Sequence, residues 1–107
     1  MRTFVEMVSF SRFRDDYFTD EQLAEMQGFL DANPDTGDVI PGSGGVRKLR
    51  WSRAGMGKRG GLRVIYYVQD SKGRIWLMTV YSKSVAENIP LKTIKALKEV
   101  IDHAEID

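Results

Sequence analysis

The sequence predicts an α+β fold, in which an antiparallel sheet packs with N-terminal helices and a C-terminal helix. Two stretches with helical spacing precede the middle of the chain, three β-rich runs separated by turn residues follow, and one amphipathic stretch comes last. The predicted order of elements is β-α-α-β-β-β-α. Because 107 residues suit one hydrophobic core, we expect residues 1–107 to form a single domain.

The first third of the chain predicts a strand and two helices. Residues 2–8 alternate weakly and are rich in β-forming side chains, which indicates a short strand. A helical turn follows, with an apolar face formed by Phe10, Phe13, Tyr17 and Phe18. Thr19 and Gln22 then form a capping-box pattern, and apolar residues recur at helical spacing up to Pro34, so we expect a helix over about 20–32.

The next predicted element is a strand with one basic face. Residues 35–38 and 41–45 have the composition of turns. After them, residues 46–52 alternate, with Lys48 and Arg50 on one side and with Leu49 and Trp51 on the other.

Two more strands and a helix complete the predicted fold. Residues 62–69 and 74–82 are β-rich and are separated by Asp-Ser-Lys-Gly at 70–73, which is typical of a hairpin turn. Three successive strands therefore form an antiparallel sheet. The last helix starts near Asn88 and Pro90 and has its apolar residues at helical spacing, namely Ile94, Leu97, Ile101 and Ala104.

The charges are distributed very unevenly along the chain. The first 38 residues hold three basic and nine acidic side chains, a net charge of −6, and residues 70–107 hold six of each. Residues 39–69 hold no acidic side chain and seven basic ones: Arg47, Lys48, Arg50, Arg53, Lys58, Arg59 and Arg63. The overall charge of +1 therefore hides a polarised molecule whose middle third suits a polyanion.

A run of cations can also be an ordinary solvated surface. Here the run lacks interspersed acids, and it brings aromatic side chains near the cations, namely Trp51, Tyr66, Tyr67 and Tyr81. A membrane-binding patch would more typically lie on an amphipathic helix, but the last helix mixes both signs of charge. We therefore interpret the segment as an RNA-binding surface, with the contacts assigned to Arg47, Arg50, Arg53, Lys58, Arg59, Tyr67 and Tyr81.

The glycines at 55, 57 and 60 match the letters of the dinucleotide fingerprint G-x-G-x-x-G. That fingerprint works where a strand leads into a helix whose first amides bind the pyrophosphate. Here the glycines lie between two predicted strands, so we interpret them as a flexible basic loop. Lys58 and Arg59 of this loop could wrap a phosphate backbone.

The composition excludes several classes of site. The chain has no cysteine, which rules out disulfides, thiol nucleophiles and thiolate metal sites. Its one histidine, His103, cannot supply a histidine acid-base pair or a Ser-His-Asp set. We therefore expect no metal and no cofactor. No apolar run approaches the roughly 20 residues that span a bilayer, and we expect a cytoplasmic protein with no membrane partner.

Four stretches of the chain resemble one family. The sequence GKRGGLRVIYY at 57–67 is the most specific of them, and the others lie at 37–51, 77–83 and 87–90. Together they resemble the HigB-like branch of the RelE/ParE superfamily of type II toxins, over the whole chain and in the same element order. The resemblance implies a RelE-like fold and a ribosome-dependent endonuclease of messenger RNA. It also implies a partner antitoxin with a helix-turn-helix domain, through which alone operator DNA would be contacted.

The resemblance also implies which residues carry the chemistry. In this family the ribose 2′-hydroxyl attacks the adjacent phosphate, a reaction that needs no metal. Lys48 and Arg50 match the family's pair of basic strand residues, Arg63 matches its phosphate-binding arginine, and Lys83 follows the last strand where the basic site continues. We expect Arg63 to stabilise the transition-state charge and Lys48 or Lys83 to act as base, because a crowded cationic site favours a neutral amine.

The chain departs from the family pattern at one point. The RelE branch has a catalytic tyrosine after the last strand, but residues 84–90 contain none. Tyr81 or Tyr67 could replace it, or Glu87 could accept the proton. Ribosomal RNA would then supply part of the alignment.

Two other functions stay open at this stage. ParE-like members of the superfamily inhibit DNA gyrase without cutting RNA, and the chain could also be an RNA-binding module without toxicity. An antitoxin could cover the basic face directly, or it could bind the acidic N-terminal helices away from the site.

Overall fold

The computed structural model describes residues 2–53, 55–57, 61–86 and 88–104, and these form a five-stranded sheet with three helices. The strands are β1 (Thr3–Glu6), β2 (Asp38–Val39), β3 (Arg47–Ser52), β4 (Gly61–Gln69) and β5 (Arg74–Ser82). The helices are α1 (Val8–Tyr17), α2 (Asp20–Ala32) and α3 (Leu91–Asp102). All the predicted helices and strands are therefore present, and β2 is an addition.

The sheet is mixed, with strand order β1-β5-β4-β3-β2. The predicted antiparallel arrangement is confirmed for β3, β4 and β5. The first strand differs, because β1 pairs with β5 in parallel, with Phe4 opposite Ile75. A parallel pair needs a long connection, and here the whole chain between β1 and β5 provides it. The β-rich composition of residues 2–8 indicates a strand but not its partner.

Helices cover both faces of the sheet. The face under α1 and α2 carries one apolar cluster, to which these helices contribute Phe10, Phe18, Leu23, Met26 and Leu30. The opposite face, which we call the α3-side face, carries the second cluster, to which α3 contributes Ile94 and Ile101. The apolar face predicted for α1 is confirmed at Phe10, whereas Phe13 remains 38% exposed.

The start of α2 agrees with the sequence prediction. The Thr19 hydroxyl accepts a hydrogen bond from the Gln22 backbone N–H at 3.1 Å, and the Gln22 side chain accepts one from the Thr19 N–H at 2.9 Å. This reciprocal pair is the predicted capping box, and it satisfies two donors that a helix start leaves open. None of the helices in the described ranges is long and apolar enough to cross a membrane.

Candidate functional site

Three adjacent strands bring four of the predicted site residues onto the α3-side face. Arg50 on β3 lies directly opposite Arg63 on β4, and Arg63 lies directly opposite Tyr81 on β5. Residues directly opposite each other in an antiparallel pair project from the same face. Lys48 is two positions from Arg50 on the same strand and therefore shares that face. Arg63 lies at the centre of this group and is only 7% exposed.

A β-bulge brings Tyr81 to this face. The β4–β5 register pairs Ile65 with Thr79 but Tyr66 with Leu77, so Met78 is the extra residue. Without that residue, strict alternation from Leu77 would send the Tyr81 side chain to the α1/α2 side. The Ser9 hydroxyl of α1 donates a hydrogen bond to the Met78 carbonyl at this point. One helix on the far side of the sheet therefore holds the bulge in place.

The Lys83 side chain passes over Gly61 and so reaches the same face. Its backbone N–H donates to the Gly61 carbonyl at 3.3 Å, just beyond the end of β5. A Cβ atom at Gly61 would lie 3.1 Å from the Lys83 Cδ and 3.2 Å from its Cε. Gly61 is two positions from Arg63 on β4, so that absent Cβ would project from the α3-side face. The Lys83 side chain therefore extends over this face.

A cavity of about 200 Å³ opens beside these cations. Its polar lining comes from Asp38, Lys48, Arg50, Tyr81 and Asn88, and its apolar lining from Val39, Ile40, Pro41, Ile89 and Ile94. Two polar contacts order its rim. The Lys48 Nζ donates to the Asn88 Oδ1 at 2.8 Å, and the Arg50 Nη1 lies 3.7 Å from the Asp38 Oδ2.

Arg47 does not join this group. It is one residue from Lys48 and so projects to the other face, where its guanidinium donates to the Asp35 and Gly37 carbonyls at 3.0 and 2.7 Å. An ion pair of 3.6 Å with the Asp35 carboxylate adds to these contacts. In this position Arg47 fixes the turn between α2 and β2.

The other residues predicted to contact RNA lie elsewhere. Arg53 donates to the Tyr17 carbonyl at 2.9 Å and covers the Tyr17 ring at the end of α1. Tyr67 is on the α3-side face but is covered by α3, with the Lys98 Nζ 4.6 Å from its ring centre. Lys58, Arg59 and Glu87 are outside the described residues. Of the fingerprint-like glycine stretch, residues 55–57 lie between β3 and β4, as predicted, and Gly60 is also outside the described residues.

Two of the aromatic residues predicted to lie near the cations face away from them. Trp51 projects to the α1/α2 side and packs against Phe29, with ring centres 5.2 Å apart. Tyr66 is fully buried on that side, where its hydroxyl donates to the Pro34 carbonyl and accepts from the Gly37 N–H, both at 2.8 Å. Burial raises the pKa of the Tyr66 hydroxyl above its usual value, against the lowering effect of the Gly37 hydrogen bond. Trp51 directly follows Arg50 on β3, so alternation places the two side chains on opposite faces. The prediction that Trp51 lies near the cations was wrong, and the alternation in the sequence already contradicted it.

Asn88 and Asp38 line the cavity but were not identified from the sequence. The motif at 87–90 and the turn at 35–38 were both recognised, but a turn pattern does not show where a side chain ends in space. His103 lies just past the end of α3, whereas α3 meets the cavity through Ile94 near its start. Within the part of the chain that the structure describes, no three His, Asp or Glu side chains come together as metal ligands.

The side chains on this face are chemically suited to bind a phosphate. Lys48, Arg50, Arg63 and Lys83 supply cationic donors, Tyr81 supplies a hydroxyl, and the cavity beside them has apolar walls. Arginine and lysine donors stabilise a phosphate oxyanion most strongly where water is partly excluded. The half-buried position of Lys48 and the burial of Arg63 meet that condition.

The solved structures that share this fold include two of E. coli proteins. The E. coli toxin RelE, free and carrying two arginine-to-alanine substitutions, superposes with a TM-score of 0.59 at 17% identity, covering 92% of this chain and 97% of that chain. The intact E. coli RelBE toxin-antitoxin complex matches with a TM-score of 0.57 at 16% identity, covering 77% of this chain and 96% of that chain. No protein-family profile matches the sequence. The chain therefore has a RelE-like fold, as its sequence predicted.

Proposed function

We propose that this protein is the toxin of a type II toxin-antitoxin system and cleaves messenger RNA on the ribosome. The observation that carries the proposal is the convergence of Lys48, Arg50, Arg63, Tyr81 and Lys83 on one face of a RelE-like sheet. A surface built only for solubility would not need a buried arginine at the centre of the group.

The proposed reaction is an internal transfer within the RNA. The ribose 2′-oxygen loses its proton to a base and bonds to the adjacent phosphorus, while the bond from phosphorus to the 5′-oxygen breaks and that oxygen takes up a proton. The products are a 2′,3′-cyclic phosphate and a 5′-hydroxyl. Arg63 stabilises the charge of the phosphorane, and Lys48 or Lys83 accepts the 2′-hydroxyl proton.

The remaining residues of the proposal bind rather than react. Arg50 contacts a neighbouring phosphate, and Tyr81 is the tyrosine nearest to Arg63 for a hydrogen bond to the reacting group. Lys58 and Arg59 are proposed to contact the RNA backbone. Alignment of the 2′-oxygen with the leaving oxygen comes partly from the ribosome, which is why the protein needs no histidine pair.

The partners follow from the same assignment. One of the similar structures is a toxin-antitoxin complex, which supports a cognate antitoxin for this chain. We propose that this antitoxin carries a helix-turn-helix domain and contacts operator DNA, and that the toxin acts in the cytoplasm on translated messenger RNA. Assignment to the HigB-like branch is part of the same proposal.

The test is primer extension on a defined messenger RNA incubated with the purified protein, with and without programmed ribosomes. We expect cuts only with ribosomes, and none with Arg63→Ala at equal protein concentration. Cuts without ribosomes would contradict the ribosome dependence. No cuts under either condition, with inhibition of DNA supercoiling by gyrase, would replace the proposal with a ParE-like function.

A further inference from the structure

We propose that Asn88 is a positioning residue that holds the Lys48 ammonium at the cavity without neutralising its charge. The inference rests on the proposed nuclease function of the same face, with Lys48 as the cation that contacts the phosphate and Lys83 as the base, and it adds a residue to that site. Asn88 itself needs no contact with the RNA.

The contact joins two separate parts of the chain. The Lys48 Nζ donates to the Asn88 Oδ1 at 2.8 Å, although the two residues are 40 positions apart. A lysine side chain is flexible, and its ammonium can otherwise sample many positions. One hydrogen bond to a fixed acceptor restricts it and leaves two N–H donors for a phosphate.

Asn88 is itself held by its neighbours in the chain. Ile89 packs against the apolar cluster of the α3-side face. Pro90 caps the start of α3, and its carbonyl accepts from the Thr93 and Ile94 backbone N–H groups at 3.0 and 3.2 Å. A residue before proline is restricted to extended backbone, which further limits Ile89. The Asn88 acceptor is therefore anchored to the start of α3.

The chemical type of the group that accepts from Lys48 is as important as its position. Asp38 lies directly opposite Lys48 in the β2–β3 register, but its carboxylate pairs with Arg50. A carboxylate on Lys48 would cancel the charge that a phosphate needs, whereas an amide oxygen fixes the ammonium and leaves the charge intact. The exposed Arg50 therefore pairs with the Asp38 carboxylate, whereas Lys48 donates to the Asn88 amide oxygen.

The test is a double-mutant cycle of cleavage on programmed ribosomes, with wild type, Asn88→Ala, Lys48→Ala and the double variant. We expect Asn88→Ala to lower kcat by about tenfold and to leave KM within about twofold, because misplacing a cation that contacts the reacting phosphate affects the chemical step. If Asn88 acts through Lys48, the double variant is no slower than Lys48→Ala alone. Asp102→Asn is the matched control, since it changes the acceptor of Lys98 at 2.6 Å, on the exposed part of α3.

Two results would overturn the inference while leaving the nuclease in place: additive losses in the double variant, or wild-type kcat for Asn88→Ala. A second measurement does not depend on activity. In protein with ¹³C-labelled lysine, we expect the Lys48 Cε order parameter to fall in Asn88→Ala and to be retained in Asn88→Asp. An unchanged order parameter in Asn88→Ala contradicts the positioning role even if wild type proves not to cut RNA.

Discussion

Arg50 and Arg63 lie directly opposite each other on β3 and β4, so two guanidinium groups share one face at adjacent positions. Like charges in opposed positions of a sheet destabilise it. Arg50 is largely exposed and has an ion pair with Asp38, whereas Arg63 is buried. A phosphate bound between the two guanidinium groups would offset their mutual repulsion.

Substitution of Arg50 by glutamine should weaken RNA binding and leave folding almost unchanged. We expect the slope of log affinity for a single-stranded RNA oligonucleotide against log salt to become shallower by about 0.7, the value for one lost phosphate contact. The free energy of unfolding should change by less than about 0.5 kcal/mol, because the Asp38 ion pair is exposed and long.

The control for that substitution is Arg12→Gln, because Arg12 is exposed on α1 and is not one of the cations that converge with Arg63 on the α3-side face. It should leave the salt slope unchanged. Equal slopes for wild type and Arg50→Gln would remove Arg50 from the RNA contact.

Two glycines are expected to respond in opposite ways to replacement by alanine. A Cβ at Gly37 would lie 2.7 Å from the Tyr66 ring and 3.1 Å from the Lys48 carbonyl oxygen, so Gly37→Ala should destabilise by about 1–3 kcal/mol. Gly28 is inside α2 with no atom within 4 Å of such a Cβ, and Gly28→Ala should stabilise by about 0.5–1 kcal/mol. Urea unfolding measures both. A neutral Gly37→Ala would contradict the close packing of Tyr66 beneath the turn.

The Tyr66 hydroxyl should link stability to alkaline pH. Its pKa is raised in the folded protein, mainly by burial, so the fold favours the neutral hydroxyl. That contribution is complete below the unfolded pKa of about 10 and is lost as pH rises through the folded value. Tyr66→Phe should cost about 1–3 kcal/mol near neutral pH, because it leaves the Gly37 N–H and the Pro34 carbonyl without their partner.

Urea unfolding of both proteins between pH 8 and pH 11 measures this linkage. We expect the stability difference between wild type and Tyr66→Phe to shrink above about pH 10. A difference that stays constant through pH 11 would show that the buried hydroxyl does not resist ionisation.

Local patterns were sufficient to predict most of the elements. The capping box at Thr19 and the proline at 34 set the ends of α2, and alternation placed Lys48 and Arg50 on one face of β3. These signals are short-range, because each depends on the chemistry of neighbouring residues. The parallel pairing of β1 is a long-range choice that no local pattern contains.

The candidate site was predicted only in part, because some of its contacts are also long-range. The bulge at Met78 depends on pairing between β4 and β5 and on the Ser9 contact, and sequence alternation could not reveal that it brings Tyr81 to Arg63. Asn88 was missed because its partner Lys48 is distant in sequence. The face on which Arg47 lies could, in contrast, have been predicted from the sequence. Arg47 is two positions from Leu49 and therefore projects to the same face as that residue.

Arg47 and Lys48 provide the most direct test of the account, because they are adjacent on β3 and project to opposite faces of the sheet. The measurement is the single-turnover rate of messenger RNA cleavage on programmed ribosomes for Arg47→Ala and Lys48→Ala, at a temperature where circular dichroism shows both to be folded. We expect Lys48→Ala to slow cleavage by about 100-fold or more, and Arg47→Ala to stay within about threefold of wild type, because only Lys48 lines the α3-side cavity. The opposite order of effects, or equal effects, would contradict the claim that the α3-side face is the site of cleavage.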